Sequence, residues 1–157
     1  RDGTVTGVQT CALPILTRAN LNYTLHRLRR VEEDLRLVER WAYLTPDQRA
    51  AVNSLKADVA FHSGRYAEAR AGYERALAQE RSVGALISAA QLQWKTGYFD
   101  EAAALLVEAD QVARGHTSET RAWVFLVRGL MELDRGRWDD ALAHYRQGLR
   151  LTPCLTG

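Results

Sequence analysis

The sequence predicts an all-α protein, a right-handed α-solenoid of about three helix hairpins preceded by a long amphipathic helix. Three observations predict it. The stretch Gly64-Arg65-Tyr66-Ala67-Glu68-Ala69 recurs as Gly97-Tyr98-Phe99-Asp100-Glu101-Ala102 and as Gly136-Arg137-Trp138-Asp139-Asp140-Ala141. After each alanine the chain continues with matching spacing: Ala69, Tyr73 and Ala76, then Ala102, Leu106 and Ala109, then Ala141, Tyr145 and Gly148 share one helical face that alternates small and large. Small residues let a neighbouring helix axis come close, and the large residue fills the groove between them. The three alanines lie 33 and 39 residues apart, a period that marks stacked supersecondary units. The third observation is composition: three prolines in 157 residues, with leucine, alanine and arginine abundant, favour helix throughout.

Residues 1–15 stand apart. Val5 to Ile15 is what a widely used sequencing-library adapter gives when translated codon by codon, so residues 1–15 are expected to be a non-native, disordered segment outside the fold. A natural N-terminus further upstream is the corresponding expectation. The competing reading, a short signal peptide, lacks an apolar core because Gln9, Thr10 and Pro14 interrupt it.

Over residues 16–45, Leu21, Leu25, Leu28, Val31, Leu35, Val38 and Trp41 fall at three-and-four spacing, which predicts one long amphipathic helix over about 17–43. At ~1.5 Å per residue it would be ~40 Å long. Two roles are open to it: a cap over the apolar edge of the first repeat, or a dimerising coiled coil. Its charges, Arg27, Arg29 and Arg30 followed by Glu32, Glu33 and Asp34, are mixed in sign and make a solvated face.

The repeat domain is expected over 46–153, with repeats at about 47–80, 81–114 and 118–153 and a short tail at 154–157. Thr45-Pro46-Asp47 starts its first helix: Thr45 caps, Pro46 takes the first helical position and Asp47 meets the positive end of the helix dipole. Helices are predicted at about 46–62, 66–79, 82–95, 99–113, 119–134 and 138–151. The glycines at 64, 97 and 136 supply the left-handed conformation that ends each first helix. Gly115-His116-Thr117-Ser118 accounts for the longer second interval. The helix from Glu119 to Asp134 is apolar nearly all round and calls for cover on more than one side.

These residues resemble the tetratricopeptide repeat family of antiparallel helix pairs, over roughly two thirds of the chain. Gly129, with Ala57 and Ala90 in its place, matches the small residue of the first helix, and Pro153 closes the third copy as the family does; the Trp-Leu-Gly-Tyr signature is incomplete in every copy. The resemblance implies a groove lined by the first helices that accepts a peptide or partner helix. Its candidate residues are Ser54, Asp58 and Phe61, then Ile87, Gln91, Trp94 and Lys95, then Trp123, Leu126 and Leu130. The same aromatics are also read as core, since aromatics at helical spacing usually pack. A clamp for a C-terminal carboxylate is not expected, because its lysine, asparagine and arginine positions carry Ser54, Asp58, Ser88, Trp123 and Val127.

Chemistry is not written in the chain. His26, His62, His116 and His144 are scattered, the two cysteines sit at 11 and 154, and no phosphate loop, nucleophile elbow or metal-ligand spacing occurs. No catalysis, cofactor or metal is therefore expected. A net charge of +2, from 21 basic and 19 acidic residues, argues against a general nucleic-acid binder, and no apolar run reaches membrane-spanning length. The expected role is a cytoplasmic scaffold or adaptor for a protein or peptide partner. The alternatives are an accessory segment of a larger regulator or enzyme, and a self-association module, a homodimer formed through residues 17–43 or through the third repeat.

Overall fold

The computed structural model describes the backbone of residues 6–40 and 44–152, and side chains from residue 13 onward within those ranges. Trp41, Tyr43, Pro153 and Cys154, and the side chain of Cys11, lie outside the described residues. Among those described there are eight α-helices and no strand: α1 (Thr6–Thr24), α2 (Leu28–Glu39), α3 (Pro46–His62), α4 (Tyr66–Gln79), α5 (Val83–Lys95), α6 (Phe99–Ala113), α7 (Ser118–Asp134) and α8 (Trp138–Leu151). They pair as consecutive antiparallel hairpins. The chain divides into two compact units, one ending at Glu80 and one beginning at Arg81. In a repeat chain each element contacts mainly its sequence neighbours, so the core need not be continuous.

The hairpin turns are alike because the backbone demands it. Gly64, Gly97 and Gly136 have φ of 75°, 91° and 73°, the left-handed region where a Cβ is unwelcome. Past each glycine, a backbone N–H reaches back to close the preceding helix: Arg65 donates to the Ala60 carbonyl, Tyr98 to Gln93 and Arg137 to Glu132, at 2.8, 2.8 and 2.9 Å. First helices start on hydroxyl caps. Thr45 accepts from the Gln48 N–H while the Gln48 side chain accepts from the Thr45 N–H, and Ser82 and Thr117 cap α5 and α7.

The single long helix expected over 17–43 is instead two helices folded back on each other. The break falls at His26, whose φ is 52°, and the Arg27 N–H donates to the Asn22 carbonyl at 2.8 Å, the same bond that closes the other three turns. Apolar residues at three-and-four spacing run through the turn without a Gly or Pro to mark it, so the periodicity alone joined α1 to α2. Leu21 and Leu25, placed on the buried stripe by the one-helix reading, are exposed. A mark of the turn was present: Val31, Leu35 and Val38 follow His26 at the offsets at which Ala69, Tyr73 and Ala76 follow Gly64. Ala19 precedes it as Ala57, Ala90 and Gly129 precede the glycines, and all four are buried. The first hairpin is a fourth copy of the unit, with a histidine in the left-handed position at a cost of about 1–2 kcal/mol.

Residues 6–15, expected to be disordered, continue α1, and Ile15 packs against the core of the first unit. That core is built from Leu16, Ala19, Val31, Leu35, Val38, Val52, Leu55 and Val59. Asp34, buried beside it, accepts from Arg18 Nη2 at 2.6 Å and Asn22 Nδ2 at 3.1 Å, which satisfies a carboxylate that burial would otherwise penalise. In the second unit Leu86, Leu92, Leu106, Val124 and Val127 are fully buried.

Candidate partner-binding surface

Helix α7 has two apolar faces. Val124, Phe125, Val127 and Met131 are buried, while Trp123, Leu126 and Leu130 at 50%, 40% and 39% exposure form a row on the other side. Spacings of three and four put them on one face. Beside this row, α8 contributes Tyr145, Gly148 and Leu149, and the two helices enclose an open groove of about 450 Å³. Gly148 lets α7 and α8 lie close at the floor of the groove: a Cβ there would stand 3.3 Å from the Ala122 carbonyl oxygen and 3.5 Å from the Phe125 Cβ. Exposed apolar side chains clustered around a concavity, rather than scattered singly, are the feature that marks a contact surface.

The electrostatic setting is simple. At the mouth of the groove stands Glu119, in the first turn of α7, whose carboxyl is held below its ordinary range by the backbone N–H and by the hydroxyls of Thr117 and Ser118. On the far side of α7, Asp110 of α6 accepts from Arg121 Nε at 2.7 Å and lies 3.5 Å from Arg114 Nη2. Burial pushes the Asp110 carboxyl up, yet the two guanidiniums together outweigh that and hold it below the usual range. Among the described residues no group of three or more histidine, cysteine or acidic side chains is arranged to hold a metal. Among the described residues no helix is long and apolar enough to cross a membrane.

The other sequence-derived candidates have different surroundings. Ile87 and Trp94 are buried in the second unit, and Gln91 is half-buried. Lys95 is exposed, but its Nζ lies 2.5 Å from Asp134 and 4.3 Å from the centre of the Trp94 ring, so its charge ties α5 to α7. In the first unit Ser54, Asp58 and Phe61 are half-buried on α3. Asp58 accepts from the Tyr73 hydroxyl at 2.6 Å. Burial, followed by the Asp58 charge, pushes the Tyr73 hydroxyl well above its ordinary value and that of Tyr23 up to about 12. Phe61 packs edge-on to His62, which shares a 2.9 Å hydrogen bond with the Tyr23 hydroxyl. The structure thus brings together Trp123, Leu126 and Leu130, and adds Leu149, together with Tyr145 and Gly148, which the sequence reading placed on a packing face and not in the groove. Their signal was available: Leu149 stands one repeat after Asp110, an apolar residue where the preceding copy has a charge.

Residues 83–108 and 122–147 match the family model described as tetratricopeptide repeat, which places both matches on the hairpins of the second unit. Those two stretches are similar to tetratricopeptide repeats. No curated protein matches it. Among solved structures it is similar to BtubC (BKLC) from P. vanneervenii, with 21% identity and a TM-score of 0.74 over 93% of this chain and 64% of that one. It is also similar to MamA, with 15% identity and a TM-score of 0.64 over 98% of this chain and 82% of that one. At those identities the likeness speaks for the fold. The chain spans somewhat less than two thirds of the length of BtubC. The matched stretches take in the turns at Gly97 and Gly136 and the small residues Ala90 and Gly129. The α1/α2 hairpin, outside the matched residues, shares the same turn geometry with a histidine in the glycine position.

Proposed function

We propose that this chain is a protein-interaction module that seats a peptide or partner helix against α7 and performs no catalysis of its own. The observation that carries this reading is the exposed row Trp123, Leu126 and Leu130 flanking the apolar groove between α7 and α8. Trp123 is a large rigid aromatic, the type of residue that contributes most to protein-binding energetics, and Leu126 and Leu130 extend the apolar surface around it. Lys95 and Gln91 have a smaller part here than the sequence suggested, Lys95 being held by Asp134. The tetratricopeptide match supports the same class of function.

The test is site-specific photocrosslinking in cells of the source organism. A photoreactive residue in place of Trp123 is expected to capture a protein partner. One in place of Trp138, which is 69% exposed on α8 but does not line the groove, serves as the control. Equal capture from both positions, or none from position 123, would overturn the reading.

A further inference from the structure

The turn of the first hairpin places a histidine where the other three turns place a glycine. His26 is exposed and carries at φ 52° the strain that Gly64, Gly97 and Gly136 avoid. Its ring faces a second imidazole. The centre of the His62 ring, at the C-terminal end of α3, lies 6.1 Å away with 77° between the ring planes. His62 is itself fixed from two sides: its Nε2 shares the 2.9 Å hydrogen bond with the Tyr23 hydroxyl of α1, and its ring stands edge-on to Tyr23 and Phe61 at 5.6 and 5.2 Å. Two imidazoles from successive hairpins of the first unit therefore meet at its surface, about one repeat apart in sequence, where no local spacing announces them. At the same ends of the second unit, α5 and α7 are tied by the Lys95–Asp134 ion pair. His26 and His62 bring no such pair of opposite charges, but they bring two nitrogen ligands.

Imidazole nitrogens bind zinc at about 2.0–2.1 Å, which sets the centres of two rings on one ion about 5–6 Å apart. The observed 6.1 Å lies at the upper end of that range, and both side chains are exposed, so small rotations close the remainder. We propose that His26 and His62 form a surface site for one divalent transition-metal ion of the zinc class, with water completing its coordination. The ion would tie the first hairpin to α3. Imidazole selects ions such as zinc, copper and nickel over magnesium and calcium, which prefer oxygen. Tyr23 supplies the outer support that metal-binding histidines use: its hydroxyl, kept protonated by burial and by the Asp58 charge, accepts from Nε2–H and leaves the Nδ1 lone pair of His62 to the ion. Two side chains fall short of the four that close a structural zinc site, so the ion exchanges freely and the fold does not depend on it.

The test adds Zn2+ to the full chain and follows the histidine ring signals by NMR, with Mg2+ as the control. The signals of His26 and His62 are expected to move together, ahead of those of His116 and His144, and to saturate in the micromolar range, while Mg2+ moves none. His26→Gly gives this turn the residue that the other three have, so it removes a ligand without straining the backbone. It is expected to weaken Zn2+ binding at least about tenfold, as is His62→Gln, which keeps a partner for the Tyr23 hydroxyl. Zn2+ should also raise the unfolding temperature of the parent and leave that of His26→Gly unchanged. No shift at His26 and His62, a shift at only one of them, earlier shifts at His116 or His144, or binding that either substitution leaves intact would overturn the inference.

Discussion

Gly72→Ala places a methyl group at the crossing of α3 and α4, where the first unit is most closely packed. A Cβ built on Gly72 would lie 2.7 Å from the Ala57 Cβ and 3.2 Å from the Ala57 Cα. Carbon atoms rest about 3.5–4.0 Å apart, so the overlap with the methyl is roughly 1 Å. Ala57 is 1% exposed and has no rotamer into which it can retreat, so the two helices must separate. Overpacking of this kind costs about 1–3 kcal/mol, and replacing a helical glycine by alanine returns about 0.5–1 kcal/mol. The net expectation is a loss of about 0.5–2 kcal/mol in the α3/α4 hairpin. Hydrogen exchange of the α3 and α4 amides reads it locally, alongside urea unfolding of the whole chain. Adding Ala57→Gly moves the methyl to the other side of the crossing, so the double variant should be more stable than the two single losses summed predict by about 1 kcal/mol or more. A Gly72→Ala protein at least as stable as the parent, or two losses that simply add, would refute the close-packing argument.

Two further predictions concern the second unit. Gly97→Ala should lower its stability by about 1–2 kcal/mol because φ there is 91°. Gly84→Ala, at an exposed position in the first turn of α5 with nothing within 4 Å of the new Cβ, should raise stability by about 0.5–1 kcal/mol. Thermal unfolding of the pair checks both, and shifts of the same sign would contradict the backbone explanation. Asp110→Asn should weaken the second unit at pH 7 by about 1–3 kcal/mol through loss of the charge-assisted bond from Arg121. Because the Asp110 carboxyl titrates below its ordinary range in the fold, its contribution is complete above the unfolded value of about 3.9 and is lost as pH falls through the folded one. The stability gap between parent and variant should accordingly close below about pH 4 in urea titrations followed by circular dichroism.

Much of the fold was legible because its determinants are local. Glycines at 64, 97 and 136 mark left-handed turns, Thr45 marks a helix start, and the small-large face of each second helix marks the hairpin partner. The α1/α2 turn escaped because His26 does the work of a glycine without being one, and the apolar spacing runs unbroken across it. Of the candidate surface, Trp123, Leu126 and Leu130 were named from the repeat pattern, together with Ile87 and Trp94, which are buried. Sequence spacing places all five on first helices. It does not separate them, because exposure depends on what packs above each helix.

By itself, then, the sequence determined the helical class, the period and the three glycine turns, since backbone conformation and helical periodicity act over a few residues. Tertiary structure decided which apolar residues are core and which are surface, that Asp58 and Lys95 are engaged by Tyr73 and Asp134, and that Leu149 and Tyr145 join the α7 row. Those outcomes depend on contacts between helices distant in sequence. Whether an apolar side chain contributes to folding or to recognition is settled by whether another helix covers it.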